Sequence, residues 1–384
     1  MSKHFRPHRL NPMRLFNFSK RLYQPVFTAL KIKHISISAD EMDVQRRVRF
    51  SRVVFVALVF IAFIFVLINF DSLFALPSSS HYMLLNPAFG HYSSISIAAF
   101  DTSMARLSIV DIASRDVNNK TIIYRRLMNT ERKEITISEM ALIQPDASNA
   151  AMFDTTKLQV DLSKLSAVMR PLIAPPFVTG SLSFDRNATS DVLMIGLGGS
   201  QMNNFLHYYF PKMNITVIEL EHVMLEMARR YFGLSEDSHQ HVINMDGLDY
   251  LGETVKQGRE FDAIYIDACS TAFPTAEELP CPVHGFLIDQ TIGNLKAVLK
   301  KTGTLMLKML IFAKDIAAVV DKITQRYRAH FETCITTPMM SINNRVLVCS
   351  RADVSKDRLV EDTFFKKQNE FYEHFGLIGG KNEF

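Results

Sequence analysis

The sequence predicts an α/β fold built on a mostly parallel sheet, and three observations support this prediction. An apolar run at residues 192–195 breaks into a glycine-rich turn and then a helical pattern, which is the strand, turn and helix opening of a dinucleotide-type fold. From about residue 181 onwards strand-like and helix-like segments alternate, which predicts helices on both faces of a parallel sheet. Two strand-like runs near the end, 333–337 and 345–349, flank a turn and form a closing hairpin.

The elements between these landmarks follow from the spacing of the apolar residues. The first strand, 192–197, leads into a helix that ends at Phe210. With the closing pair, the pattern favours seven strands whose last strand is antiparallel, whereas a dinucleotide-binding dehydrogenase normally continues with parallel units. The remaining predicted elements are strands at 216–220, 241–245, 263–267 and 304–309, and helices at 223–232, 288–299 and 314–327.

Length and composition bound the domain organisation. At 384 residues with 48% hydrophobic content, the chain is long enough for a sizeable core and more than one domain. Short alternating segments without a helical period predict a small module of antiparallel strands before the α/β region. The expected divisions are a basic tail at 1–52, a membrane segment at 53–70, a stem and strand-rich module at 71–180, the α/β domain at 181–352 and a C-terminal helix at 353–384.

An uncharged run that starts at Val53 and ends at Phe70 predicts a transmembrane helix. Its eighteen residues extend roughly 27 Å as a helix, which is enough to cross a hydrocarbon core. A cleaved signal peptide is the rival interpretation, but this run is longer than a usual signal core and begins after fifty residues. Four arginines between residues 46 and 52 precede the run, and the next basic residue is Arg106. The positive-inside rule therefore predicts a cytosolic N-terminus and a lumenal or extracellular C-terminal domain.

Charge and cysteine content narrow the partners. The net charge is +4, and twelve lysines and arginines lie within residues 1–52, so the α/β region has no basic excess for nucleic acid. The even cysteine count suits disulfides in an oxidising compartment, although free buried thiols explain it equally well, and no pair has zinc-ligand spacing. The cysteines are Cys269, Cys281, Cys334 and Cys349, and the glycan acceptor triplets begin at Asn119, Asn187 and Asn214.

Acidic residues after successive strands predict a nucleoside pocket. Glu219 ends the second strand twenty-three positions after Gly196, where an acid accepts hydrogen bonds from ribose hydroxyls of either NAD or S-adenosylmethionine. A dinucleotide fingerprint places a third glycine where this chain has Gln201, and Asp246 with Gly247 ends the third strand, where it suits an adenine amino group. An acidic rim attracts a sulfonium cation and repels a pyrophosphate. The pattern therefore favours S-adenosylmethionine.

Each of these residues also has a purely structural interpretation. Glycine-rich turns precede many helices, so that turn alone is weak evidence. Glu221 suits the N-terminus of the following helix, and Asp246 suits a helix N-cap. The nucleoside pocket is the better interpretation because four features occur together at predicted strand ends. They are the glycine-rich turn, Glu219, Asp246 and Asp267.

Several runs resemble the spermidine synthase-like methyltransferases, and are most similar to the C-terminal domain of the enzymes that methylate elongation factor 1-alpha. The resemblance covers about residues 181–352 and implies a Rossmann-like class I methyltransferase sheet of seven strands, the last one antiparallel. The runs that carry it are IGLGGS at 195–200, IELEHVMLEMARRYFG at 218–233, DGLDYL at 246–251, FDAIYID at 261–267 and LPCP at 279–282.

The resemblance implies a role for each site residue. It places Gly196, Gly198 and Gly199 under the methionyl part of S-adenosylmethionine, with Asp267 orienting or deprotonating an acceptor amine. Spermidine synthases hold their diamine with a second acid three residues after that aspartate, where this chain has Ser270. The resemblance further implies Glu219 on the ribose and Asp246 with Gly247 at the adenine.

The predicted function is a membrane-anchored S-adenosylmethionine-dependent methyltransferase that acts on a protein or an amine. Two alternatives stay open: an aminopropyltransferase related to polyamine synthases, and an inactive binding or scaffold protein with the same fold. No metal is expected, and a homodimer is compatible with the resemblance because spermidine synthases commonly dimerise.

Overall fold

The computed structural model describes residues 82–84, 94–115, 121–131, 135–144, 152–270, 278–339, 341–351 and 361–377. The predicted membrane segment at 53–70, the basic tail and Asn119 lie outside these residues. Within the described part, every helix is too short or too polar to cross a membrane.

A four-stranded antiparallel sheet forms the upstream module, as the alternating segments predict. Its strands follow one another as a meander because each pairs with its sequence neighbour. A separate two-stranded pair joins β1 (Tyr82–Leu84) to β6 (Met152–Asp154). The meander strands are β2 (Ser94–Asp101), β3 (Arg106–Arg115), β4 (Thr121–Asn129) and β5 (Thr136–Ala141).

The main sheet has seven strands, which confirms the predicted sheet. Its order is β12-β13-β11-β10-β7-β8-β9. The neighbours from β11 to β9 pair in parallel, while β13 lies antiparallel between β11 and β12. The strands are β7 (Asp191–Ile195), β8 (Asn214–Glu219), β9 (Gln240–Asn244), β10 (Phe261–Ile266), β11 (Leu299–Leu310), β12 (Thr333–Pro338) and β13 (Asn344–Ser350).

Helices cover both faces of this sheet, so its central strands are apolar on both sides. In β7, Val192 and Met194 pack into the core on one face, and Leu193 and Ile195 pack into the core on the other. The helices are α1 (Arg170–Ile173), α2 (Pro175–Thr179), α3 (Gln201–Tyr209), α4 (His222–Tyr231), α5 (Gly247–Gln257), α6 (Asp289–Ala297), α7 (Ile316–Arg328) and α8 (Glu361–His374).

Some boundaries differ from those expected. Strand β11 starts at Leu299, five residues before the predicted start, and α6 ends two residues before it. The segment before residue 180, predicted as a stem and a strand-rich module, also contains α1 and α2. Both have proline in their first turn, where a missing N–H costs nothing. Both helices pack into the core of the main sheet through buried residues such as Leu172 and Phe177.

A buried ion pair within the upstream module also contacts helix α4. Arg125 donates two hydrogen bonds of 2.8 Å to the carboxylate of Asp111, and both side chains are at most 4% exposed. The same guanidinium donates to the carbonyl of Tyr231 at the end of α4 and to the carbonyl of Thr155. Because four acceptor atoms satisfy this buried cation, it fixes the module against the helix beside the glycine-rich turn.

Candidate cofactor and acceptor site

A cavity of about 250 Å³ opens at the carboxyl ends of the parallel strands, between the main sheet and the upstream module. This volume lies just below the range of small-molecule sites, which span about 300–1,000 Å³. The module contributes the rim residues Thr102, Met104, Asn129 and Ser138. These residues lie in a turn and in strands far in sequence from the glycine-rich turn, so no sequence pattern links them to the cavity.

The glycine-rich turn needs glycine for steric reasons. Gly196 has a φ of +101°, and a Cβ there would lie 2.4 Å from the carbonyl oxygen of Asp267. A Cβ on Gly199 would lie 2.7 Å from the Cβ of Ser138, and the Gly199 N–H donates to the Ser138 hydroxyl at 2.9 Å. The first glycine lets β7 pass close to the end of β10, and the second lets the module pack on the turn.

Glu219 is held by the backbone on both sides. One carboxylate oxygen accepts the Leu197 N–H at 2.9 Å, and the other accepts the Glu221 N–H at 2.9 Å. Only 8% of the residue is exposed, and burial raises the pKa of this carboxyl above its ordinary value, although the two N–H donors act in the opposite direction. A carboxylate oxygen accepts more than one hydrogen bond, so both oxygens retain capacity for a hydroxyl donor.

Asp246 and Gly247 combine the two interpretations that the sequence left open. The Asp246 carboxylate accepts the Leu248 N–H at 2.7 Å and caps α5, a helix absent from the predicted elements. Both residues also line the cavity. A Cβ on Gly247 would lie 2.5 Å from Cγ2 of Ile195, so a glycine lets α5 start close to β7. Asp246 therefore caps α5 and also forms part of the cavity wall.

Asp267 does not stand alone at its end of the cavity, because Lys308 pairs with it. The Lys308 Nζ lies 2.8 Å from Oδ1 of Asp267, and the two side chains are 12% and 16% exposed. Both line the cavity. Sequence reasoning missed Lys308. The available signal is a single lysine within the apolar run 305–310 of β11, a strand that continues past the end of its parallel neighbour β10.

A disulfide between Cys269 and Cys281 closes the chain beside this ion pair. The Ser270 N–H donates to the Pro280 carbonyl at 2.9 Å, and the Leu310 N–H donates to the Cys281 carbonyl at 3.0 Å. We call Cys269 and Ser270 together with Pro280 and Cys281 the loop neck. These hydrogen bonds join its two sides to each other and to the end of β11. The second disulfide joins Cys334 to Cys349, which face each other across β12 and β13. All four cysteines are therefore paired, and the free-thiol alternative is wrong.

The structure brings six of the seven predicted site residues to one cavity. Gly199 is the exception, because it contacts Ser138 of the module outside the cavity lining. The predicted ligand contacts of the other six stay predictions. These residues are Gly196, Gly198, Glu219, Asp246, Gly247 and Asp267.

Comparison with known proteins finds relatives that match part of the chain. No family model matches the chain. It is 34% identical over 125 residues to the eEF1A lysine and N-terminal methyltransferase homolog of Drosophila melanogaster, covering 33% of this chain and 18% of that protein. It is 24% identical over 140 residues to the polyamine aminopropyltransferase of Vibrio vulnificus, covering 36% of this chain and 43% of that protein. The predicted resemblance is confirmed, and the chain spans less than a fifth of the Drosophila relative.

Among solved structures, human methyltransferase-like protein 13 in complex with SAH matches with a TM-score of 0.45 and 22% identity. The match covers 56% of this chain and 92% of that one.

Proposed function

We propose that this chain is an S-adenosylmethionine-dependent methyltransferase that acts on a protein or an amine. The observation that carries the proposal is the convergence of a glycine turn, a ribose-type acid and an adenine-type acid at three strand ends around one cavity. The relatives named as methyltransferases support the same activity.

The residues of the cavity fit this cofactor. Gly196 leaves the backbone open where a Cβ would collide, and Glu219 and Asp246 offer carboxylate oxygens to hydroxyl and amino donors. We call these residues, with Gly198 and Gly247, the cofactor end of the cavity. An acidic rim also stabilises a sulfonium cation. S-adenosylmethionine supplies an electrophilic methyl group when bound.

The chain's own residues then position the acceptor. We call Asp267, Lys308 and the Cys269–Cys281 disulfide the acceptor end of the cavity. Asp267 is placed to accept a hydrogen bond from the attacking amine or hydroxyl, and the ammonium of Lys308 fixes that carboxylate. The disulfide holds the adjoining loop neck, and residues of the module line the cavity.

The aminopropyltransferase alternative has less support. Its diamine would need free carboxylates, but Ser270 replaces the second acid and Lys308 already neutralises Asp267. The scaffold alternative differs from the enzyme in one measurable property, because a scaffold binds the cofactor without transferring its methyl group.

We also propose that the described domain is lumenal or extracellular, anchored through residues 53–70, and glycosylated. Two disulfides downstream of that segment support an oxidising compartment.

Among the described acceptor triplets, Asn187 is exposed, whereas the Asn214 side-chain amide hydrogen-bonds Asp191 and His239. Endoglycosidase treatment of the cell-expressed protein tests this in an Asn119→Gln background, where Asn187→Gln is expected to remove a mobility shift that Asn214→Gln leaves unchanged. In that background, a shift that survives Asn187→Gln contradicts the assignment. Homodimer formation stays a prediction.

The central test is Glu219→Ala. Each charge-assisted hydrogen bond to this carboxylate contributes roughly 1.5–3 kcal/mol, so its loss should weaken S-adenosylmethionine binding at least about tenfold. Isothermal titration calorimetry measures the affinity, and transfer of a tritiated methyl group to lysate protein measures turnover. Glu253→Ala, at an exposed position on α5, is the matched control and should bind normally. Wild-type protein that does not bind the cofactor contradicts the proposal, and binding without transfer favours the scaffold.

A further inference from the structure

The acceptor end of the cavity is electrically neutral although the cavity as a whole is acidic. Four carboxylates line the cavity, and among its described lining residues Lys308 is the single basic side chain. The Nζ of that lysine lies 2.8 Å from Oδ1 of Asp267, and both side chains are mostly buried. The charge that would otherwise attract a cationic amine is therefore already compensated by the chain itself.

The ion pair is fixed in place by its surroundings. Lys308 lies near the end of β11, which is antiparallel to β13 and bonded through Leu310 to the carbonyl of Cys281. Asp267 directly follows β10, and its N–H donates to the carbonyl of Ile195 at 2.9 Å. Backbone hydrogen bonds therefore anchor both partners, and a competing cation must displace Lys308 from Asp267.

Resting on the proposed function, we infer that Lys308 determines acceptor specificity by excluding free diamines and similar small cationic amines. Its ammonium occupies the position on Asp267 that a substrate ammonium would take, and it repels a second positive charge at close range. The acceptor nitrogen or oxygen must therefore reach Asp267 in an uncharged form. Ser270 strengthens the effect because it brings no second carboxylate to hold a diamine.

The strand itself contains a matched control for this inference. Lys300 is also on β11 and also forms an ion pair, with its Nζ 2.8 Å from Asp262 and 3.1 Å from Asp191. Lys300 lies near the start of β11 and Lys308 lies near its end. Lys300 is outside the cavity lining, so it shares the chemistry of Lys308 without its location.

The test compares putrescine binding to the full chain and its variants by isothermal titration calorimetry. Lys308→Gln removes the positive charge and keeps an N–H donor for Asp267. Its dissociation constant for putrescine should be at least about tenfold lower than that of wild-type protein. Lys300→Gln and Lys308→Arg should behave like wild-type protein, and adding Asp267→Asn to Lys308→Gln should abolish the gain.

Equal putrescine binding by wild-type protein and Lys308→Gln, or a gain that persists without Asp267, overturns the inference. If Lys308→Gln does not fold, wild-type protein alone decides: a dissociation constant below about 1 mM overturns the inference, and no detectable heat at 10 mM putrescine supports it. S-adenosylmethionine is titrated into the same samples. If S-adenosylmethionine does not bind, the proposed function is contradicted. The comparison of putrescine binding between wild-type protein and Lys308→Gln still tests the role of Lys308.

Discussion

The two ends of the cavity are built in different ways. At the cofactor end, backbone groups set the geometry: a glycine turn passes within contact of β10, and two N–H groups hold Glu219. At the acceptor end, side chains set the geometry through an ion pair and a disulfide. The first arrangement tolerates almost no substitution because the backbone itself would have to move. The second can change its charge, and with it the accepted substrate, without rebuilding the sheet.

The largest expected effect breaks the cofactor end. Gly196→Ala places a Cβ 2.4 Å from the carbonyl oxygen of Asp267, at a φ of +101° that L-residues rarely adopt. Overlap with backbone and positive-φ strain together should cost about 3 kcal/mol or more and abolish cofactor binding. Thermal unfolding and calorimetry measure the two effects.

Gly252→Ala is the matched control for that substitution. Gly252 lies within α5, and a Cβ there would meet no atom within 4 Å. Because alanine favours a helix interior by about 1 kcal/mol over glycine, this variant should be slightly more stable and bind normally. Equal behaviour of the two variants would contradict a steric requirement at Gly196.

The difference between the two ends also explains what the sequence could predict. The cofactor end follows from short stretches of sequence. An apolar strand leads into each of its key residues, so the pattern alone brings Gly196, Glu219 and Asp246 to one sheet edge. The acceptor end depends on partners far apart in sequence. Lys308 is an ordinary lysine until β11 runs beside β10, and the cysteine count alone left the pairing open.

The upstream module follows the same rule. Its alternating residues predicted antiparallel strands, but the contact of Ser138 with the glycine turn depends on how two sheets pack. The buried pair of Arg125 and Asp111 was equally hidden, because charged residues in a strand normally face solvent. Contacts between residues far apart in sequence leave no periodic signal in the sequence.

A smaller effect tests the acceptor end through its disulfide. Replacing Cys269 and Cys281 together by alanine releases a cross-link between residues twelve positions apart, which should lower the free energy of unfolding by about 3 kcal/mol. Loosening the loop neck should also misplace the acceptor and reduce methyl transfer to lysate protein on the order of tenfold. Cofactor affinity should stay unchanged, because the cofactor end is held by other bonds.

The second disulfide separates these two effects. Cys334 and Cys349 are fifteen positions apart and outside the cavity lining, so their double alanine variant should lose a similar unfolding free energy. Methyl transfer should remain at the wild-type level in that variant below its unfolding temperature. A matching loss of transfer would assign the effect to general instability instead of the loop neck.

The smallest expected effect is the pH dependence of cofactor affinity. Burial raises the pKa of Glu219 above the ordinary 4.5, although the N–H groups of Glu221 and Leu197 lower it. Hydroxyl donors bind the ionised carboxylate more strongly than the protonated one, so affinity should fall as pH drops through the raised pKa. The expected decrease is several-fold, with its midpoint above pH 4.5.

The pH dependence of stability has the opposite sign. Since the folded pKa of Glu219 exceeds the unfolded one, the folded chain holds the proton more tightly, and this carboxyl's contribution to the free energy of unfolding falls as pH rises between the two values. Calorimetric titrations of S-adenosylhomocysteine and thermal unfolding across this interval measure both trends. Glu219→Gln does not titrate at this position and should flatten both trends, so a transition that persists unchanged in this variant contradicts the assignment to Glu219.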